Sequence, residues 1–141
     1  MTEPIIEFTS IKQAYDCLHE WQNRLFLDDW IIKLNLLPRI QMTDDDAGHN
    51  TFQITNKASV ISICIPDDDA KSRISKFCQE LILVHELLHL KYNLVDASNP
   101  SYEEVSLMQT EHMLLEQMAK SLIMAKYNLQ REWFINFKED K

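Results

Sequence analysis

The stretch 81–90 constrains this chain more than any other: it is apolar nearly all the way round a helix, yet it carries His85, Glu86 and His89. A helix apolar on every side is a buried helix, and polar residues inside one are costly unless they are paired or bind something. The surrounding pattern predicts a long helix over about 71–93. Residues four apart lie one turn apart on the same helix face, so the imidazoles of His85 and His89 can reach a single ion. Glu86 projects about 100° from His85 on a helix of 3.6 residues per turn, which places it beside that ion and not on it. The spacing is HExxH, in which two histidines hold zinc and the glutamate is the general base. The alternative is that both are surface or satisfied core histidines; their pairing with Glu86 in a buried helix argues against it.

A catalytic zinc site takes three protein ligands and keeps one position open, so a third must come from elsewhere. Ser101-Tyr102-Glu103-Glu104 reads as a capping box with Ser101 as N-cap, starting a helix that runs to about Lys126. Its inward stripe is Met108, His112, Leu115, Ala119 and Leu122, and it offers Glu103, Glu104, Glu111, His112 and Glu116 as ligands. His112 on the apolar stripe is the preferred third ligand, with Glu116 one turn on orienting a ligand histidine from behind. Glu116 and Glu111 are the alternative ligands. Some zinc proteases take the third ligand shortly after HExxH, where a glycine turns the chain back to the metal. None stands at 88–93 here, which leaves Asp96 in the loop before Pro100. His19 and His49 have no ligand spacing and are read as structural or exposed. Tyr92, Tyr102, Tyr127 and His49 could each polarise a substrate carbonyl, and the sequence does not choose among them.

The rest of the chain predicts a scaffold for these two helices. Ile11, Ala14, Tyr15, Leu18 and Leu25 recur at helical spacing over 10–26, with Ser10 as N-cap. Residues 30–37 alternate as a strand ended by Pro38, with Ile32, Leu34 and Leu36 on one side. Residues 51–55 form a shorter strand candidate, and 60–65 a better one before Pro66. Gly48, the single glycine, marks a loop after Thr43-Asp44-Asp45-Asp46. Asp67-Asp68-Asp69 reads as an acidic cap of the long helix, favourable against its dipole, in preference to a metal site, whose oxygen ligands must converge from several directions. Strands grouped together predict an α+β fold, with an N-terminal helix, a small twisted, mainly antiparallel sheet of two or three strands, and two long helices.

The 141 residues allow one domain, 1–141, with a core at about 10–127 and a tail at 128–141, where Trp133, Phe134 and Phe137 are candidates to pack back. With 45% apolar and 26% charged residues the composition is that of a globular protein. A formal charge of -8 and no visible basic cluster argue against binding nucleic acid. Cys17, Cys64 and Cys78 form no CxxC pair and no disulfide framework, which suits a reducing compartment. No signal peptide is apparent, and no apolar run reaches the roughly 20 residues of a membrane helix. The expected location is the cytoplasm.

Taken with their order, these motifs resemble the zincin metallopeptidases, most closely the minimal single-domain kind. The resemblance covers about 30–126 and rests on Trp30-Ile31-Ile32-Lys33-Leu34, Ala58-Ser59-Val60-Ile61-Ser62-Ile63, Leu83-Val84-His85-Glu86-Leu87-Leu88-His89-Leu90 and Glu111-His112-Met113-Leu114-Leu115-Glu116. It looks like the small bacterial and phage proteins with a "VHELLHLK" core, and in its order it is similar to minigluzincins. That family implies a small sheet with the active helix beneath it, a ligand helix behind, and an edge strand that takes an extended peptide. It implies zinc on His85 and His89, Glu86 as base, and peptide-bond hydrolysis in a peptide or protein substrate, with no membrane or nucleic-acid partner. Minigluzincins place a glutamate ligand four residues before an acidic residue of the outer shell. His112 and Glu116 occupy those positions here, which suggests a three-histidine site. Larger zincins add a second lobe, and this chain is too short for one, which implies a shallow or self-covered cleft and narrow activity. Two other classes remain: a zinc-stabilised interaction module without turnover, and a metal-free helical partner-binding protein.

Overall fold

A computed structural model describes residues 2–42, 46–67, 73–92 and 102–136, with the side chains of 102–106 left undescribed. Ser10 caps helix α1 (Ile11–Arg24), its hydroxyl accepting from the Gln13 N–H at 3.0 Å. The helix buries Ala14, Cys17, Leu18, Trp21 and Gln22. Strand β1 (Ile31–Leu37) follows, with Leu34 buried and Ile32 and Leu36 packed on the core, so the predicted alternation holds. Pro38 ends it and leads into a 3-10 turn, Arg39–Gln41.

Strands β2 (Gly48–Gln53) and β3 (Ala58–Cys64) form a hairpin, closed by a turn in which Lys57 adopts a φ of 48°. The sheet order is β1-β3-β2, with β1 parallel to β3 and β2 antiparallel to it. The expectation of mainly antiparallel pairing is therefore corrected to a mixed sheet. Sequential strands usually pair, but here β1 bypasses β2, and residues 38–57 supply the long return that a parallel partner needs. Gly48 lies in β2 and not in a loop, and the strand predicted at 51–55 starts three residues earlier, at Gly48. Ile61 and Ile63 are fully buried on β3.

Helix α2 (Gln79–Lys91) is the central element, touching β2, β3, α1 and the last long helix. Apart from the half-buried Ile82 and His89 and the exposed Lys91, its residues are buried. It starts at Gln79 and not near 71, so the acidic cluster does not cap it. Asp67 instead accepts from Arg39 Nε at 2.9 Å and Arg73 at 3.2 Å, while Asp68 and Asp69 lie outside the described residues. The first N–H groups of α2 go to the N-terminal segment: Gln79 N–H donates to Ile6 O and Glu80 N–H to Ile5 O. Main-chain carbonyls thus do the work that a capping side chain usually does.

Helix α3 (Tyr102–Tyr127) starts and ends within a residue of its predicted limits, though Ser101 and the proposed capping box lie outside the described residues. Leu115, Ala119 and Ile123 are buried along it, Met108 and Leu122 half-buried. His112 departs from the expected inward stripe, since its side chain opens to solvent. The chain after α3 turns back through a 3-10 turn, Arg131–Phe134, that buries Phe134 and half-buries Trp133. Ile135 pairs with Ser75 in an isolated bridge. The core therefore runs past 127, and Phe137 lies outside the described residues. The fold is α+β, and no helix among the described residues is long and apolar enough to cross a membrane.

Candidate metal centre

α2 and α3 bring three imidazoles together. One turn of α2 aligns His85 and His89, whose Nε2 atoms lie 3.2 Å apart. From α3, His112 turns its Nδ1 to within 3.2 Å of His85 Nε2. One ligand nitrogen from each lies within 4.8 Å of the others, the one such group of three metal-binding side chains among the described residues. Ligand nitrogens at 2.0–2.1 Å from a tetrahedral ion stand about 3.3 Å apart, so the two 3.2 Å separations fit an ion held between them. His85 is buried, His89 half-buried and His112 exposed, so the group has a protein side and a solvent side. These residues could hold a metal ion.

Glu116, one turn beyond His112, takes the other nitrogen of His85: Oε2 lies 2.8 Å from Nδ1. A carboxylate there makes Nδ1 the protonated nitrogen and leaves the Nε2 lone pair free for a metal. Burial works against ionising Glu116, but the bond to His85 and the charges around it hold its carboxyl below the usual range. Burial also pushes the His89 imidazole down to about 4, and His85 and His112 add to the effect. His112 is shifted the same way, by burial and then by His85, with Glu116 and Asp46 opposing. Neutral imidazoles are the form that binds metal.

Glu86 is not one of the three grouped ligands. It faces the sheet, where β2 lies across it, and only 7% of its surface is exposed. Burial pushes its carboxyl up to about 7, with His85 opposing and Asp46 and Glu116 adding to the rise. A carboxyl poised near neutrality is suited to general base work.

The other sequence candidates fall elsewhere. Glu111 is buried but not one of the three. Tyr127 donates to both oxygens of Glu80, at 2.7 and 2.8 Å, and is committed there. Gly48 and Asn50 face α2, so strand alternation turns His49 to the opposite face, next to Thr51. Tyr92 is part exposed at the C-cap of α2, and His19 is exposed beside Tyr15 on α1. Asp96, Glu103, Glu104 and the side chain of Tyr102 lie outside what is described.

Sequence reasoning placed the start of β2 three residues late and so missed what Gly48 and Asn50 do. Asn50 Nδ2 donates to Glu86 O at 2.9 Å, and Ser59 Oγ donates to Asn50 Oδ1 at 2.5 Å. A lone glycine in a strand is a signal of close backbone approach, and Gly48 carries that signal. Protein-family models, curated proteins and solved structures give no match to this chain.

Proposed function

We propose that the chain is a zinc-dependent peptidase of narrow specificity, built on a minimal zincin-like domain. The observation that carries this reading is the convergence of the His85, His89 and His112 nitrogens, with Glu116 on the back of His85 and Glu86 held separately on the sheet side. Three imidazoles are a donor set that suits zinc. Zinc bound there would supply Lewis acidity towards a water and a substrate carbonyl. Glu86 then takes the proton of the attacking water and returns it to the leaving amine, a role that its raised pKa fits. Glu116 keeps His85 in the tautomer that binds metal. Among the described residues strand β2 is an edge of the sheet and runs across α2 at Glu86, so an extended peptide paired with the side turned away from β3 would pass along the site. The order of helix, small sheet, HExxH helix and second long helix supports the zincin reading, and three buried free thiols suit a reducing cytoplasm.

A structural zinc site is closed by a fourth protein ligand. Glu116, well placed in sequence to close it, is bonded to His85 Nδ1 instead, which favours an enzyme over a silent interaction module. The test is hydrolysis of a diverse peptide library by zinc-loaded protein beside Glu86→Gln. Cleavage by the wild type and a loss of at least about 100-fold in the variant is expected. Identical behaviour of the two would sink the proposal.

A further inference from the structure

We propose that Gly48 and Asn50 on β2 are positioning residues for Glu86, one leaving room for its carboxylate and the other fixing its main chain. The inference rests on the reading of Glu86 as the base. Both residues lie on the face of β2 turned towards α2, two apart as strand alternation requires. A Cβ at position 48 would stand 2.7 Å from Ile82 Cγ2, 2.9 Å from Glu86 Oε2 and 3.2 Å from Glu86 Cγ. The glycine does not have a positive φ, so what position 48 demands is space and not backbone freedom. Ile82 cannot easily give way, because its Cγ2 branches from Cβ and its χ1 is stiff in a helix. The end of the Glu86 side chain can swing away, while the closer contact with Ile82 is relieved only by a shift of β2 against α2.

Asn50 acts on the same residue from the main-chain side. The Glu86 carbonyl can only accept, which turns Asn50 Nδ2 towards it and leaves Oδ1 to accept from the Ser59 hydroxyl. Ser59 sits on β3, paired with Phe52 and buried, so the clamp is anchored in the middle strand. The ligand histidines are met by α3, whereas β2 meets Glu86. Holding metal and placing the base thereby draw on two different neighbours of one helix.

The test uses the full zinc-loaded chain as wild type, Gly48→Ala, Gly48→Ala/Ile82→Ala and Asn50→Ala, with three readouts. These are zinc affinity by chelator competition, the crystal structure of Gly48→Ala, and kcat and KM on a peptide that the wild type cleaves. In Gly48→Ala we expect zinc affinity within about threefold of wild type, a displaced Glu86 carboxylate, and kcat down about 100-fold with KM little changed. Removing Ile82 Cγ2 in the double variant should not restore kcat. Asn50→Ala should lose about tenfold in kcat with zinc retained, and it carries the test if Gly48→Ala does not fold. Unchanged kcat, a loss that tracks loss of zinc, or rescue by Ile82→Ala would each overturn the inference. If the wild type cleaves nothing beyond Glu86→Gln, hydrolysis is refuted separately. The crystal structure then decides, and a Glu86 carboxylate left in place overturns the positioning role.

Discussion

Glu116 is bonded to His85 and Glu86 follows it in the chain, and their surroundings push the two carboxyls in opposite directions. Glu116, bonded to the imidazole, is held as a carboxylate; Glu86, buried under β2, is raised to about 7. Replacing Glu116 by glutamine keeps an acceptor for Nδ1–H but removes its charge. Zinc affinity should fall about tenfold, at the mild end of what losing such a partner costs, as measured by chelator competition. Unchanged affinity would mean that Glu116 does not support the ligand. Of this site, the three histidines and two glutamates were legible in sequence because helical spacing fixes which residues share a face. Gly48, Asn50 and Ser59 were not, because their roles come from a strand crossing a helix, and no local period records that.

Helix α2 shows the same division at the scale of an element. Its apolar run announced a buried helix, but its beginning could not be read, because it is set by partners distant in sequence. Glu80 is fully buried there, and it accepts from Ile5 N–H at 2.9 Å, Trp21 Nε1 at 2.8 Å, Tyr127 Oη at 2.7 Å and Lys126 Nζ at 3.0 Å. It joins the N-terminal segment, α1 and α3 to the first turn of α2. Burial opposes its ionisation, but these donors outweigh burial and hold its carboxyl below the usual carboxylate range. A carboxyl depressed in the folded state adds stability above its unfolded pKa, and that stability is lost as pH falls through the folded value. Glu80→Gln should therefore cost about 2 kcal/mol in urea unfolding at pH 7. The gap between variant and wild type should narrow as pH drops below the usual carboxylate range. A gap that widened on acidification would contradict the assignment.

At the scale of the molecule, α+β architecture was legible from strands grouped between helices, but the pairing of those strands was not. Alternation in 30–37 and 60–65 says which side faces the core and nothing about which neighbour a strand takes. The C-terminal segment was underestimated for a related reason: three aromatic residues after a long helix have no period. Phe134 is 3% exposed, and residues 134–136 exchange main-chain hydrogen bonds with residues 74–76. Phe134→Ala should destabilise the fold by about 3 kcal/mol, seen in urea unfolding, as expected for a buried aromatic truncation. A cost below about 1 kcal/mol would show that this segment is not part of the core. The architecture brings an exposed histidine from α3 to two on α2, and the whole account depends on that meeting. The most direct test is the zinc content of protein purified without chelator, wild type beside His112→Ala. One zinc per chain in the wild type, lost or bound far more weakly in the variant, is the predicted result. Zinc held equally well by both, or by neither after reconstitution, would contradict the three-histidine centre.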